Sequence, residues 1–408
     1  MKTVVDRFIE YIKIETTSYP EIEGNPCPSS AMQMDFAHFM ADEMKAIGIE
    51  EVEVDKNGFV FGTIPATAEG DIPVIALLAH MDTISDISGK DIKPSIVHYE
   101  GGDVVLNKEL GIVMEEKMFP FMKNYVGQDL IVTDGTTLLG ADDKAGIVEI
   151  FALAEKLLAD KSIPHGKIRI CLTPDEEIGT GILNCDVEKL GANFGYTIDG
   201  GAVGGLEYEN FNAASAKVIV NGSNIHPGSS KNKMKNSLHI AMEFHGMLPP
   251  YEQPANTEGY EGFSHLNLMS GGVEKTTMDY IIRDHDAAKF DIKKARFEKI
   301  AAYLNEKYGE GTIDLRLSDS YRNMKEVVEP YMFLIDYAKE AFSDNGVTPV
   351  VSAIRGGTDG ARLSYMGLPC PNLSTGGHNA HGKYEFVPVQ SLEKMVDVLA
   401  TLVQKFVK

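Results

Sequence analysis

The chain has 408 residues, and because a single hydrophobic core seldom grows beyond roughly 250 to 300 residues, this length predicts two domains. Its 43% hydrophobic and 24% charged residues are typical of a folded globular protein and exclude a disordered or fibrous chain. Asp and Glu outnumber Lys and Arg by 60 to 38, and the net charge of −22 argues against a nucleic acid or an anionic membrane as a partner.

Residues 1–16 are predicted to form an amphipathic helix, with apolar side chains at Val4, Phe8, Tyr11 and Ile14. The segment lacks the continuous apolar core and the small-residue cleavage site of a signal peptide, and no stretch reaches the roughly 20 apolar residues of a membrane span. We therefore expect a cytoplasmic protein. The four cysteines lack Cys-x-x-Cys spacing, so neither a disulfide framework nor a zinc–cysteine site is indicated.

The region that follows alternates between predicted strands and a predicted helix, which is the pattern of an α/β domain with a mostly parallel sheet. Apolar runs that end in polar turns predict the strands, and apolar residues at helical spacing predict the helix. In chain order the predicted elements are strand 72–79, helix 145–158, strand 167–172 and strand 194–198.

Near residue 212 the pattern changes to that of an α+β domain, and the α/β pattern returns after about residue 321. The elements predicted beyond this change are strands 216–220, 276–283 and 312–317 and helices 235–246, 286–306, 329–342 and 391–406. We therefore predict one α/β catalytic domain, built from residues 1–211 and 322–408. Residues 212–321 are predicted to form an inserted α+β domain of the lid or dimerisation type.

Five polar clusters lie at or just beyond the ends of predicted strands or open the predicted helix, in the region where open α/β sheets bind their ligands. The first is the pair His80 and Asp82. Residues two apart on an extended chain face the same side, so Asp82 is placed to accept a hydrogen bond from the His80 ring and fix its tautomer for a metal ion. A purely structural role for this short motif explains it equally well.

The second and third clusters are rich in carboxylates. Asp142 and Asp143 stand between glycines, where a carboxylate shared by two cations would offset their repulsion, although capping of the following helix is an alternative. Glu176 and Glu177 follow Asp175 at the end of a strand. Neighbouring side chains point in different directions, which allows one glutamate to bind a metal ion while the other transfers a proton.

The fourth and fifth clusters contain Asp199 and His381, and His378 is a competing ligand that spacing alone does not exclude. Either cluster in isolation is compatible with an ordinary turn. Taken together, the five clusters provide nitrogen and oxygen ligands without sulfur. Such a set suits two zinc ions that share one carboxylate, with Mn²⁺ or Co²⁺ as substitutes.

Seven sequence strings run in order from residue 80 towards the C-terminus: HMDT, LLGADDKAG, TPDEEIG, TIDGG, NIHPG, IRGGTDGA and HGKYEF. Together they resemble the dinuclear zinc metallopeptidase family that includes glutamate carboxypeptidase, aminoacylase and dipeptidases. Two further strings, LEYENFN and EGYEGF, resemble its tripeptide aminopeptidase branch.

The resemblance implies a metal-binding role for five residues. One zinc ion would be held by His80 and Asp199 and the second by Glu177 and His381, with Asp142 bridging the two. This ligand set selects His381 over His378. The expected catalytic domain is the α/β domain described above.

The resemblance also implies roles around the reacting bond. Glu176 would be the general base and Asp82 the partner behind the His80 ring. One departure from the family is Ala380, which stands where many members carry an aromatic residue and changes only the local shape of the pocket.

Three residues are candidates for substrate binding. His226 would reach the tetrahedral oxyanion, and Arg283 would hold the carboxylate of the substrate. Arg355, in a glycine-rich loop, is a second candidate for either group. A purely structural alternative is that Arg283 only pairs with a neighbouring acid, Asp284 or Asp286.

The implied function is release of the N-terminal residue from short peptides, preferentially tripeptides, by water that two zinc ions and Glu176 activate. A deacylase or carboxypeptidase with the same metal ligands is one alternative. A metal-dependent binding protein without catalysis is another, but it would not need the additional base Glu176. Relatives often dimerise through the inserted domain, so we expect a monomer or a homodimer.

Overall fold

The computed structural model describes residues 2–20, 24 and 26–407, and the chain divides into two compact units. The first unit contains residues 1–208, 326–352 and 358–408, and the second contains residues 209–325 and 353–357. The sequence-based domain limits assigned the last of these segments to the catalytic domain, whereas it groups with the insert here. That residues 1–211 with 322–408 and residues 212–321 fold as separate domains remains a prediction.

The helices and strands are numbered in chain order. The α-helices are α1 Val4–Ile12, α2 Ala31–Ile47, α3 Ala141–Ala159, α4 Val187–Leu190, α5 Ser237–Gly246, α6 Ala287–Tyr308, α7 Lys325–Val328, α8 Phe333–Asp344, α9 Asp359–Tyr365 and α10 Val389–Lys405. The strands are β1 Glu50–Val54, β2 Val60–Ile64, β3 Ile75–His80, β4 Ser95–Tyr99, β5 Val104–Asn107, β6 Ile112–Met114, β7 Gln128–Val132, β8 Ile168–Thr173, β9 Phe194–Ile198, β10 Gly205–Asn210, β11 Asn212–Asn221, β12 Phe263–Gly271, β13 Lys275–Asp284, β14 Ile313–Tyr321, β15 Val350–Ile354, β16 Asn372–Leu373 and β17 Phe386–Pro388.

Among the described residues, the largest sheet has eight strands in the order β1-β2-β8-β3-β9-β16-β10-β15. Strands β8, β3, β9 and β16 are parallel neighbours, while β2 joins β8 and β10 joins β16 in antiparallel fashion. Every residue of β3 and β8 is buried, and both strands are mostly apolar, as strands covered on both faces are. The predicted α/β class is thus confirmed, with a mixed sheet that is parallel at its centre.

The second unit contains a four-stranded antiparallel sheet in the order β12-β13-β11-β14 within the described residues. Burial alternates along β13, so one face of the sheet is apolar. Helices α5 and α6 pack on this sheet, where Phe244 and Phe297 join Val218, Met278 and Tyr280 in one buried core. The unit therefore has the α+β character predicted for the insert.

A smaller sheet in the first unit supports the loop that follows β16. Its strands are ordered β17-β7-β4, and its core includes Tyr99, Leu130 and Phe386. In the described residues, no helix is long and apolar enough to cross a membrane.

Gly146 allows helix α3 to approach the end of β9. A Cβ atom at this position would lie 2.1 Å from the carbonyl oxygen of Ile198 and 2.7 Å from Asp143 Oδ1. Neither distance is possible for non-bonded atoms, so any larger side chain would move the helix away from the strand. Since α3 begins with Ala141 and Asp142, this contact also fixes the start of the helix against the sheet.

We expect Gly146→Ala to lower the free energy of unfolding by about 1–3 kcal/mol, because the added methyl group overpacks the contact between α3 and β9. Gly246→Ala is the matched control, since a Cβ atom at this other helical glycine has no heavy atom within 4 Å. The control is expected to raise the stability by up to about 1 kcal/mol through helix propensity. Urea unfolding of both variants measures the effect, and equal midpoints would contradict the packing argument.

Candidate metal centre

Two groups of possible metal ligands in the first unit share one carboxylate. The first group is His80, Asp142 and Asp199, and the second is Asp142, Glu177 and His381. Within each group, one ligand atom from every residue lies within 4.8 Å of the others. We call them the first and the second ligand cluster.

Asp142 is the shared residue, and its two oxygens face different histidines. Its Oδ1 lies 2.9 Å from His80 Nε2, and its Oδ2 lies 3.1 Å from His381 Nε2. Each histidine faces a second carboxylate as well: His80 Nε2 lies 3.9 Å from Asp199 Oδ1, and His381 Nε2 lies 3.0 Å from Glu177 Oε1. The chain thus brings all five predicted ligands together in the predicted pairs, with Asp142 between them.

The carboxylates of the two clusters are withdrawn from water and repel one another. Burial, followed by the charge of Asp142, raises the pKa of Asp199 well above its ordinary value. Burial also raises the pKa of Glu177, and the charge of Asp142 adds to this effect although the hydrogen bond with His381 opposes it. Cations would compensate these charges, and nitrogen and oxygen donors are the ligands that divalent metal ions such as zinc accept. The clusters therefore fit metal binding.

The two histidines respond to the same charges in the opposite direction. Hydrogen bonds with Asp142 and Glu177 raise the pKa of His381 to about 11. Burial opposes protonation of His80, but hydrogen bonds with Asp142 and Asp82 still raise its pKa above the ordinary value. Protons on these rings therefore occupy the place that a metal ion would take.

His80 is the last residue of β3, and its ring is supported from behind by Asp82. The Nδ1 atom of His80 lies 3.1 Å from the carbonyl oxygen of Asp82 and 3.4 Å from its Oδ1. Because Nδ1 faces these acceptor oxygens, the other ring nitrogen, Nε2, is left to face Asp142. The support predicted for Asp82 thus has a geometric basis, with the backbone oxygen closer than the carboxylate.

Asp82 also holds the loop that follows β8. Its Oδ1 accepts the backbone N–H of Glu176 at 3.0 Å, and its Oδ2 accepts that of Glu177 at 3.1 Å. The two glutamate side chains then diverge, because Glu177 faces His381 while Glu176 lines a small cavity beside His80. Burial raises the pKa of Glu176 well above its ordinary value, and the charge of Asp359 raises it further although His80 opposes the shift.

Asp175, the first of the three consecutive acids, has a structural partner that the sequence did not reveal. Its carboxylate accepts the backbone N–H of Ser29 at 2.6 Å, the Ser29 hydroxyl at 2.5 Å and Gln33 Nε2 at 2.7 Å. Asp175 is buried and fastens the loop of Glu176 and Glu177 to the start of α2. The three acids thus face three different surroundings.

His378, the competing ligand candidate, lies in an aromatic cluster. Its Nε2 is 2.6 Å from the Tyr125 hydroxyl, and its ring stacks on Phe386 with the centroids 4.9 Å apart. Burial lowers its pKa to about 4, so the ring is neutral. His378 belongs to neither ligand cluster, and its position favours the selection of His381.

Two further acids lie near the clusters: Asp143, which the sequence analysis considered with Asp142 as a shared ligand or a helix cap, and Asp359, to which it gave no role. Asp143 is buried, and its carboxylate accepts the backbone N–H of His80 at 3.2 Å. Asp359 accepts the Thr173 hydroxyl at 2.7 Å, and burial raises its pKa to about 7. Both residues lie within the sequence strings quoted above, but the residues that they bond are distant along the chain. The spacing within the strings therefore did not reveal these hydrogen bonds.

The three predicted substrate-binding residues belong to the second unit. His226 is exposed, and its Nδ1 accepts the backbone N–H of Gly228 at 3.1 Å. Arg355 Nη1 donates to the carbonyl oxygens of Gly259 at 2.7 Å and Glu261 at 2.9 Å. Its guanidinium group therefore anchors the loop that contains EGYEGF.

Arg283 is likewise anchored to backbone within the second unit. Its Nη1 donates to the carbonyl oxygens of Ala214 at 3.1 Å and Ile282 at 2.9 Å. The neighbouring acid Asp284 accepts Lys293 Nζ at 2.7 Å instead. The contacts of Arg283 thus differ from the structural alternative predicted above, in which Arg283 pairs with a neighbouring acid.

Comparison with known proteins relates the whole chain to one group of enzymes. A family model described as a peptidase dimerisation domain matches residues 208–312. Peptidase T of Caldanaerobacter subterraneus subsp. tengcongensis is 53% identical over 409 residues, covering 100% of both chains. Peptidase T of Halothermothrix orenii is 54% identical over 408 residues, covering 100% of this chain and 99% of its own.

Solved structures share the fold. Aminopeptidase PepT from Bacillus cereus has a TM-score of 0.77 at 24% identity, and the match covers 99% of this chain and 98% of that protein. A tripeptidase from Staphylococcus aureus has a TM-score of 0.78 at 21% identity with the same coverage. At these identities the likeness concerns the fold alone, which again confirms an α/β domain combined with a second domain.

Removal of the shared carboxylate is expected to affect both metal positions. Asp142→Ala should lower the metal content well below two equivalents per chain, because each cluster loses a ligand. Asp129→Ala is the matched control, since this exposed aspartate also faces a histidine, His98 Nδ1 at 2.7 Å, but lies outside both clusters. Elemental analysis after dialysis measures the content, and full occupancy in Asp142→Ala would contradict a shared ligand.

The two adjacent glutamates are expected to respond differently to substitution. Glu176→Gln should retain metal while peptidase activity falls by roughly 10² to 10⁴, the usual contribution of a general base. Glu177→Ala should instead weaken metal binding, because Glu177 faces His381 in the second cluster. Parallel metal titrations and rate measurements separate the outcomes, and the opposite pattern would mean that the two roles are exchanged.

Proposed function

This chain belongs to the peptidase T family, and we propose that it is a tripeptide aminopeptidase whose two ligand clusters hold the metal ions that the reaction requires. The observation that carries this proposal is the position of Asp142, with one oxygen directed at each histidine. A carboxylate in this position is suited to bridge two cations. The chain is accordingly a metal-dependent hydrolase of peptide bonds.

We propose zinc as the metal, with one ion held by His80 and Asp199, a second by Glu177 and His381, and Asp142 bridging both. The absence of sulfur donors from the clusters leaves Mn²⁺ and Co²⁺ as substitutes. When bound, two such ions polarise the carbonyl of the scissile peptide bond and lower the pKa of the attacking water.

Glu176 is the proposed general base. Its backbone is fixed by Asp82, while its side chain lines the cavity beside His80 instead of joining a ligand cluster. Glu176 would take a proton from the attacking water and pass it to the leaving amine. Asp82 contributes by orienting both His80 and the backbone of Glu176.

Residues of the second unit are proposed to bind the remainder of the substrate. Arg283 would hold the C-terminal carboxylate of the peptide, with Arg355 as a second candidate, and His226 would stabilise the oxyanion. Anchoring of Nη1 to two carbonyl oxygens limits the positions that the Arg283 guanidinium can take. A restrained guanidinium group loses little conformational entropy when it binds a carboxylate, which favours recognition at a fixed distance.

The assembly and location of the enzyme are also part of this proposal. Of the predicted monomer and homodimer, the match of residues 208–312 to a peptidase dimerisation domain favours the homodimer. A cytoplasmic location follows from the sequence argument given above. Short peptides are the proposed substrates, and neither nucleic acid nor membrane is needed.

Peptide length and metal dependence test the activity directly. We expect release of the N-terminal residue from tripeptides to exceed that from dipeptides and tetrapeptides, because the metal centre and the bound carboxylate set the distance between the two ends. A chelator should abolish the activity and added Zn²⁺ should restore it. Release of C-terminal residues, or activity that survives complete metal removal, would refute the proposal.

The carboxylate-binding role of Arg283 is tested by amidation of the substrate. Amidation of a good tripeptide should lower transition-state binding by about 1.5–3 kcal/mol, the scale of a charge-assisted hydrogen bond, as measured by kcat/KM. In Arg283→Ala the loss of transition-state binding on amidation should be smaller, because the guanidinium partner of the carboxylate is already absent. Arg355→Ala is measured in parallel. The variant in which amidation has the smaller effect identifies the arginine that binds the carboxylate. Equal cleavage of acid and amide by the unmodified enzyme would contradict carboxylate recognition.

A further inference from the structure

Glu385 is a buried acid that belongs to neither ligand cluster and has no part in the proposed chemistry. Glu385 is 2% exposed and immediately precedes β17. Its Oε2 accepts the backbone N–H of Leu139 at 2.6 Å and of Gly140 at 2.8 Å, and its Oε1 accepts that of Asp142 at 3.1 Å. One carboxylate thus satisfies three backbone donors of the turn that carries the shared ligand.

The turn from Leu139 to Asp142 has a conformation that needs such a partner. Gly140 is in the left-handed region with φ at 80°, so the surrounding N–H groups converge on one side of the turn. Converging N–H groups form a concave site for an anion, and leaving them buried without an acceptor would be costly. A carboxylate offers acceptors on both oxygens, which no neutral side chain does.

Glu385 also belongs to the loop that carries His381, and this loop is closed at its base. The backbone N–H of His378 donates to the carbonyl oxygen of Phe386 at 2.9 Å, and the reverse bond is 3.0 Å. Asn379 Nδ2 bridges the same loop to the carbonyl oxygen of Tyr384 at 3.0 Å. His381 has φ at 61°, a conformation that a non-glycine residue adopts only where its surroundings impose it.

We propose that Glu385 is a positioning residue that sets the distance between Asp142 and His381, and thereby forms the second ligand cluster. The inference rests on the proposed dinuclear site, and it adds a function for a residue that touches neither metal nor substrate. Its carboxylate fixes the turn of Asp142, and its backbone is part of the loop of His381. Loss of the carboxylate releases the shared ligand from the loop that holds its partner.

Glu385→Gln is the informative variant because it preserves size and removes one acceptor. The amide oxygen can replace one carboxylate oxygen, but the amide NH₂ group must then face a backbone N–H, and two donors repel. We expect the affinity of metal-free protein for its second Zn²⁺ to fall 10-fold to 100-fold, the usual effect of removing a group that orients a ligand. Binding of the first Zn²⁺ should change less.

Glu116→Gln is the matched control. The Glu116 carboxylate also accepts a backbone N–H, that of Gly102 at 2.8 Å, together with the Tyr99 hydroxyl at 2.8 Å, and it belongs to neither ligand cluster. Zn²⁺ is titrated into metal-free protein against a competing chelator, and bound metal is counted after dialysis. The control should bind two equivalents with unmodified affinity.

Failure of the positioning role and failure of the proposed dinuclear site give different results. Full second-site affinity in a folded Glu385→Gln protein would overturn the positioning role, whereas an unmodified protein that binds fewer than two equivalents would overturn the proposed dinuclear function instead. Circular dichroism of the metal-free variant establishes that it is folded. If it is not, Glu385→Asp keeps the charge but shortens the reach, and unmodified affinity in that variant would equally refute the proposal.

Discussion

The site depends on one constraint, which is that several carboxylates are gathered in a partly buried place where they cannot all remain charged without cations. Asp142 is the centre of this arrangement, because each of its oxygens faces a histidine. Hydrogen bonds with His381 and His80 lower its pKa despite burial, so it stays ionised while Asp199 and Glu177 are driven towards protonation. Protons or metal ions would supply the compensating positive charge, and the proposed metal ions would take the positions of the histidine protons.

The scaffold meets this constraint through backbone hydrogen bonds rather than through opposing charges. Asp82 accepts the backbone N–H groups of Glu176 and Glu177, Asp143 accepts that of His80, and Asp175 accepts that of Ser29, just before α2. Neutral N–H donors stabilise a carboxylate without cancelling its charge, so the site remains attractive to cations. The close contact of α3 with the end of β9 at Gly146 adds a steric limit, which keeps Asp142 beside the strand that leads to Asp199.

The sequence predicted several elements whose burial leaves a continuous pattern, although it missed β2, in which all five residues are buried. Strand 194–198 coincides with β9, and strand 167–172 differs from β8 by one residue at each end, because both are mostly buried and mostly apolar. Strands β4, β5 and β6 were not predicted, since they are short and each has only one fully buried residue. Strand β16 has two residues, too few for any periodicity.

The same distinction applies to the site. Candidate ligands that follow strands could be proposed because their motifs lie at predictable places, but His378 and His381 share one loop, and only burial against Phe386 and Tyr125 separates them. Asp82 was predicted as a supporting acid because its partner His80 is two residues away, whereas the role of Asp175 was not predicted because its partners are far along the chain. Asp175 and Ser29 are separated by 146 residues.

The proposed metal ligands do not by themselves determine which bond is cleaved, because the alternative deacylase or carboxypeptidase would use the same ligand set. Substrate length must therefore be read by groups outside the clusters. Arg283 is held by the carbonyl oxygens of Ala214 and Ile282, which belong to adjacent strands β11 and β13. A guanidinium fixed by two strands moves with the sheet and not with its own side-chain rotamer. In the role proposed for Arg283, the position of its guanidinium group would therefore depend on the sheet of the second unit and not on the metal ligands.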